Sequence, residues 1–378
     1  MTFFNYALSQ MIEPDNLLVK VESIIDWSEL SELLNKKLKV KEHKVAGKVP
    51  YEYLSLFKAL LVQQWHTLSD PKMEESLRTR IDFMWFTGFG LASKDFVVPD
   101  ETTICRFRNK LIHKKLLQNL LSRVNMQLEA NMLKVKISNG AILDATLIES
   151  AVNSNARPQL IVEDRNEEAN NDRDENNNSG SGTTTEIKVL SSNEQTDLEK
   201  DKDAKWLKKG KTSIFGYKNF ITTDTTDGYI EAVKTLPANV SEVKNMQQAL
   251  SDVKIKDARD LYADKGYASE ENTKWLESNS IGNCIMDKAA RNRPLTKEQI
   301  ERNKQISKTR YIVERTNATI KNIFKFTKAK YIGLVKVQAQ SLLVAIAHNL
   351  LKAANKIKVS ETFYRKVVSK NSLNGIFA

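Results

Sequence analysis

Two short apolar runs, 141–143 and 261–263, each lead straight into an aspartate, Asp144 and Asp264. An apolar strand must be buried and a carboxylate must find water or a counter-charge, so each run has to leave the core at its aspartate. Folds in which strand ends converge on an acidic rim satisfy both demands, because carboxyl ends of neighbouring strands open into one crevice. Around these runs, NGAILDATLIESA, SIFGYKNFITT, GYIEAVKTL, DLYADKGY and IGNCIMD read as strands, while VSEVKNMQQALSDV and ASEENTKWLESN read as helices. Three strands, a helix, then alternating strands and helices predict a mixed α/β sheet with helices on its faces.

The segment before about residue 135 has a different period. YEYLSLFKALLVQQWHTL repeats apolar residues at helical spacing, and Ser69-Asp70-Pro71 places a capping residue ahead of a proline suited to a first turn. MEESLRTRIDFMWFTGF is expected to continue that start as one helix, and Asp100 to cap ETTICRFRNKLIHKKLLQNLLSRVNMQLEANML as one or two more. Short helices joined by tight turns, with Thr102, Thr103, Arg106 and Arg108 near the start of one, resemble a helix-turn-helix reader of duplex DNA. Trp65, Phe83, Trp85 and Phe86 lie on helical patterns and are expected in the core; His66, His113 and His348 are expected to be structural.

The predicted organisation is an all-helical domain at 1–135, a catalytic domain at 136–356 and a tail at 357–378. The second domain is interrupted at 157–205 by an acidic, Asn-rich stretch with too few apolar groups to offset its ordering entropy. Residues 296–326 form a basic helix pattern, and LVKVQAQSLLVAIAHNLLKAANKI is expected to close the domain as an amphipathic helix.

Charge bears on partners. Residues 162–204 hold 13 Asp/Glu against 5 Lys/Arg, so the rest of a chain of formal charge +11 carries 53 basic against 34 acidic groups, a balance of +19. Such an excess suits a phosphate backbone, whose counterions are released on contact. No run approaches the roughly 20 apolar residues of a membrane span, so the expected place is the cytosol, on the nucleoid when DNA-bound. Cys105 and Cys284 form no metal-binding or disulfide pattern and are expected to be buried, reduced thiols.

A third carboxylate stands in SKTRYIVERTNATIKNIF. On a helix Arg310, Glu314, Asn317 and Lys321 fall on one stripe, with Ile312, Val313, Ile320, Ile323 and Phe324 opposite to dock it. Three carboxylates suit Mg²⁺ better than zinc, and two such ions can serve the attacking and leaving oxygens of a phosphoryl displacement. Taken singly, a strand-ending aspartate is a turn former, and an Arg-x-x-x-Glu pair on a helix contributes about 0.3–0.5 kcal/mol at the surface. The ordered combination is what carries information.

That combination, DATLIESA, FGYKNFITTDTTDGYI, ADKGY and RYIVERTNATIK, resembles the insertion-sequence transposases of the IS-four/IS-five type, and WSELSELL, LLVQQWHTLSD and PDETTICRFRNKL resemble their helical N-terminal part. The resemblance implies a ribonuclease-H-like catalytic core, a mixed five-stranded sheet with flanking helices, carrying a DDE triad of Asp144, Asp264 and Glu314. It implies two Mg²⁺ ions, with Mn²⁺ able to substitute, Asp144 on both ions, Asp264 on one and Glu314 on the other. Arg310 and Lys321 would hold the DNA backbone, and Arg106 and Arg108 are further DNA candidates. The family's third motif begins with a tyrosine where this chain has Ser307, and Ser241-Glu242 stands where the family often has His-Asp; neither of those two is assigned a catalytic role. The implied partner is double-stranded DNA, both terminal repeats and target, bound by a dimer or larger assembly. A DNA-binding protein or nuclease of the same fold without strand transfer is the alternative.

Overall fold

A computed structural model describes residues 11–38, 50–93, 95–152, 201–210, 212–253, 258–290 and 292–370. Among the described residues the helices α1 (Leu17–Ile24), α2 (Trp27–Leu38), α3 (Tyr53–Trp65), α4 (Asp70–Thr79), α5 (Ile81–Thr87), α6 (Glu101–His113) and α7 (Leu116–Ala130) precede the sheet. Ser69 and Asp100 cap α4 and α6 through their side-chain oxygens, as expected of those residues. The single helix predicted across residues 73–87 is two. Arg80 takes an extended backbone between them and folds its guanidinium back onto Asp82 at 2.5 Å, so the chain turns where a charged pair satisfies the break.

The sheet contains β1 (Ala141–Glu149), β2 (Lys205–Lys209), β3 (Thr212–Asp224), β4 (Ile230–Pro237), β5 (Asp260–Ala263) and β6 (Gly282–Ile285). β1, β3 and β4 are antiparallel neighbours, β5 runs parallel to β1, and β6 parallel to β5. Five strands therefore stand in the order β4-β3-β1-β5-β6, and β2 pairs with the first five residues of β3 as an added hairpin. The predicted interruption lies outside the described residues up to residue 200. Its expected end at 205 is corrected: Asp201 is buried and accepts hydrogen bonds from Ser150 and Tyr217, and β2 begins at Lys205.

Helices cover both faces. Met246 and Ala249 of α8 (Glu242–Ala249) and Leu276 of α9 (Glu270–Ser278) pack with Leu143, Phe220 and Leu261 on one face. On the other lie α10 (Lys297–Asn322), started by a Thr296/Gln299 capping box, and α11 (Leu334–Ala354). A last helix, α12 (Glu361–Lys370), packs on α1. The tight β3–β4 turn is built by buried Asp224, which accepts four backbone N–H groups from Thr226 to Tyr229. Gly228 in that turn has φ +78°, and a Cβ there would sit 2.6 Å from Thr316 Oγ1 of α10, so only glycine lets this helix approach.

The expectation of an amphipathic α11 is corrected, for this helix is buried on nearly every side. Helices α1, α3 and α7 cover one flank and β4 the other, so the N-terminal helices and one sheet face share a single core. Trp65, Phe83, Trp85 and Phe86 belong to the buried residues. The Trp65 indole N–H donates to Ala347 O at 2.9 Å, and Asn349 spans Asn125 Oδ1 and both polar atoms of the Ile230 backbone. His348 is wholly buried here, and burial pulls its imidazole down to about 4 from 6.5. The unfolded chain therefore takes up a proton below pH 6.5 that the folded chain refuses until about 4, and stability falls as pH drops through that window. The loss is expected to reach on the order of 3 kcal/mol, measurable as a shift in urea midpoint between pH 7 and pH 4.5, and His348→Leu is expected to flatten that part of the profile.

Candidate active site

The β1–β5 pairing ends at Leu143 opposite Ala263, so the next residue on each parallel strand is an aspartate, Asp144 and Asp264. Asp264 closes β5 and starts the 3₁₀ turn Lys265–Tyr267, whose Tyr267 N–H donates to Asp264 O. Asp144 does not end its strand as the sequence suggests. β1 continues to Glu149 on β3, and the rim at Asp144 exists because β5 stops beside it. The side chain of Asp144 is 19% exposed.

α10 lies across β1 and β5. Arg310 Nη2 approaches Asp144 Oδ1 at 3.3 Å, and Asn317 Nδ2 donates to Asp144 Oδ2 at 2.8 Å. Arg310 and Asn317 are buried, so they belong to the docking face of α10 along with Val313 and Ile320, whereas Ile323, expected to dock, is exposed. The reason is local: where the helix crosses the sheet rim, what it meets is a carboxylate, and polar side chains are what it must present. Glu314, four residues after Arg310 and three before Asn317, is exposed at the edge of the same stripe. Lys321 is half-buried one turn beyond Asn317, and Ser307 is exposed at the other end.

Burial pushes the Asp144 carboxyl above its ordinary value; Arg310 and the Ala145 N–H oppose this, while Glu242 and Asp264 reinforce it. The Tyr267 phenol is buried and is pushed up by burial first, then by Glu242, Asp144 and Asp264. Glu242, at the first turn of α8, is thus a residue of this rim that sequence reasoning left aside. The signal available was its place directly after the turn that follows a strand, which brings a helix start to the same end of the sheet as Asp264.

Among the described residues no three Asp, Glu, His or Cys side chains stand close enough together to hold a metal ion as they are. The donor types nevertheless suit a hard divalent cation, since all the acids are oxygen donors and Asp144 is poorly solvated at the rim. Three buried polar atoms at the rim, Asn317 Oδ1, Arg310 Nε and Tyr267 Oη, have no partner among the described residues. Unmet groups of this kind mark a place that receives a ligand.

Two other predicted site residues part company. Arg106 on α6 is exposed. Arg108, expected at DNA, is corrected: it is 4% exposed, bonded through both terminal nitrogens to Asp70 at 2.8 and 2.6 Å, and stacked over Tyr331. Its bidentate pair ties α6 to α4, and a guanidinium so used is not presented to solvent. His66 packs against Phe83, and the two free cysteines are half-buried rather than buried.

Residues 139–350 match the family described as the Transposase DDE domain, and residues 6–110 match the Transposase domain (DUF772). The chain is also similar to the transposase for insertion sequence element IS1106 of Neisseria meningitidis serogroup B, at 39% identity over 252 residues, which is 67% of this chain and 78% of that protein. No solved structure matches it. The order β4-β3-β1-β5-β6, with helices on both faces, is the ribonuclease-H-like core that such a domain carries.

Proposed function

The chain belongs to the transposases with a DDE domain, DNA-cleaving enzymes that work with divalent metal ions, and from that premise we propose that it cuts the ends of an insertion sequence and joins the freed 3′-hydroxyls to target DNA. The observation that carries this reading is the junction of β1, β5 and α10. Asp144 and Asp264 leave the sheet side by side, and the helix that carries Glu314 is pinned to Asp144 by the residues before and after it.

Asp144, Asp264 and Glu314 would hold two Mg²⁺ ions, replaceable by Mn²⁺, with Asp144 common to both. Ions so held supply an activated attacking oxygen and stabilise the leaving one. Arg310 and Asn317 act on the protein side: each takes one Asp144 oxygen, which sets the plane of the carboxylate and leaves its remaining lone pairs outward. Arg310 is therefore a positioning residue in this chain before it is a DNA contact. Glu314, exposed and paired with no described residue, is free to swing toward the rim when DNA arrives. Lys321 and Arg106 would contact backbone phosphates, and their loss is expected to lower affinity and the steepness of its salt dependence without altering sequence preference.

The test is a joining assay with labelled duplex bearing the element's terminal repeat and a target plasmid, in Mg²⁺ or in EDTA. Joined product in Mg²⁺ alone is expected. Cleavage without joining would assign a nuclease, and repeat-specific binding with neither reaction in Mg²⁺ or Mn²⁺ would assign a DNA-binding protein. Because both ends must be processed together, the active species is proposed to be a dimer or larger assembly on DNA; a cleaving complex with the mass of one chain on one end would refute this.

A further inference from the structure

The acidic rim is not where the sheet ends. β1 runs five residues past Asp144 to Glu149, and β3 begins beyond that, because Glu149 lies opposite Gly216 while Thr212–Phe215 come before it. β4 also stops short, with Pro237 opposite Tyr217, so among the described residues only β2 accompanies the start of β3. The two make a two-stranded ribbon that stands out from the same edge of the sheet at which β5 stops and Asp144 and Asp264 leave. A lone ribbon is marginal in water, and this one is anchored at its base. Buried Asp201 accepts hydrogen bonds from Ser150 and Tyr217, Asp203 accepts the Leu334 N–H at 2.8 Å, and the Trp206 ring lies 5.4 Å from that of Phe215.

The charge on this end of the molecule is one-sided. Residues 202–216 hold five lysines and one acid, Asp203, which the Leu334 N–H engages. Residues 315–336, from just past Glu314 to the first turn of α11, hold six Arg/Lys and no Asp or Glu. That segment wraps the base of the ribbon: Thr327 O and the Ala329 N–H bond to the Glu149 backbone, and Leu334 to Asp203. Lys208 on β2, Lys325 after α10 and Lys336 in α11 are exposed. Lys208 also shares the sheet face of Asp144: Asp144 pairs with Ile221, alternate residues of β3 from there reach Ser213, and Ser213 pairs with Lys208. Lys205, three positions earlier, falls on the other face and donates to Lys202 O at 3.2 Å. Lysines on an open strand edge keep molecules from pairing edge to edge, and a run of cations is often only a solvated face. Neither role explains why the acid-free segment and the ribbon meet at one place beside the rim.

We propose that Lys208, Lys325 and Lys336 form a second contact surface for duplex DNA, holding its phosphates at a distance from the bond cut at the rim. The inference rests on the reading of the rim as the cleavage site and adds a surface beyond it. Glu149 and Lys208 stand five and eight residues along the sheet from Asp144, which at about 3.3 Å per residue is about 16–26 Å, the rise of about five to eight base pairs. Contacts of this kind position the duplex and carry no sequence information.

The experiment measures binding of the full chain to a duplex carrying the element's terminal repeat, at several salt concentrations and in EDTA, so that no cleavage intervenes. Lys208→Gln/Lys325→Gln/Lys336→Gln is compared with Lys205→Gln, with Lys321→Gln and with Lys208→Glu/Lys325→Glu/Lys336→Glu, which keeps the ribbon edge charged. Unchanged melting shows that each variant folds. The triple Gln variant is expected to bind at least about tenfold more weakly at about 0.1 M salt, with a slope of log affinity against log salt shallower by about 2–3, near 0.9 for each phosphate released. The triple Glu variant is expected to bind more weakly still, and Lys205→Gln to stay within about twofold of the parent. Methylphosphonate linkages about five to eight base pairs from the cleaved bond are expected to weaken the parent but not the triple Gln variant. Equal sensitivity of the two proteins to those linkages would trace the loss to net charge and overturn the proposal. If both triple variants keep the parent's affinity and slope while Lys321→Gln binds more weakly, the surface is only solvated and the proposed function stands. If the parent shows no salt-dependent binding to the duplex, both readings fall.

Discussion

Asp144→Asn is expected to reduce both end cleavage and joining by about a thousandfold or more while the protein melts at the same temperature or slightly higher. The two effects have one origin. In the fold the carboxylate is buried and faced by Glu242 and Asp264, so its charged form is disfavoured relative to the unfolded chain, despite Arg310 and the Ala145 N–H. Because its folded pKa lies above the unfolded one, stability attributable to this group rises as pH falls through the folded value, and a neutral amide makes that gain permanent. Catalysis asks the opposite of the same atoms, since a cation is held by charge. On the proposed role of Asp144, stability is given up to keep an ionised group where the reaction would need it, a trade-off found at many active sites. Parallel melting and joining assays on the variant check it; a lower melting temperature would mean that Asp144 is held mainly for the Arg310 and Asn317 contacts.

Lys134→Met is expected to destabilise the folded protein by about 3–5 kcal/mol, the cost of removing one partner of a buried ion pair. The Lys134 side chain is fully covered, and its ammonium bridges Glu129 of α7 and Glu231 of β4. Burial pushes the Glu231 carboxyl up, and Lys134 is the group that most strongly restrains it. Without the lysine, that carboxyl has to be carried into the fold protonated or uncompensated. The deficit is thus expected to narrow in acid, where protonation is easy, and to narrow also in Lys134→Met/Glu231→Gln, where the more deeply buried of the two carboxylates is gone and Glu129 is partly exposed. Urea unfolding at pH 5 and pH 8 reads both trends. An equal deficit at the two pH values would show that packing of the lysine stem, not charge, is what was lost.

The strands that could be read in the sequence are those with continuous apolar or alternating character. AILD, GYKNFITT, GYIEAVKTL, LYAD and GNCI each announce themselves, and each became a strand of the central sheet. β2 went unseen because KWLKK offers two apolar residues among three lysines, and only its pairing with β3 makes it a strand. The break at Arg80 was hidden for a similar reason: nothing in TRID is a helix breaker, and an ion pair to Asp82 sustains the turn. At the site, spacing placed Arg310, Glu314 and Asn317 on one stripe but could not say that the stripe faces inward at both ends. A period of 3.6 orders residues around a helix without fixing which side meets the sheet when both sides have reason to. Glu242 and Arg108 show the complementary limit. Whether a charged side chain serves the rim, the core or the solvent depends on partners more than twenty residues away, and local pattern contains no record of them.

α11 sits at the centre of the molecule, with the N-terminal helices on one flank and β4 on the other. Nearly all of the chain is translated before this helix is made. A chain that stops anywhere upstream of Leu334 therefore yields not a smaller folded unit but one whose Trp65, Asn125 and Ile230 have lost the partners that order them.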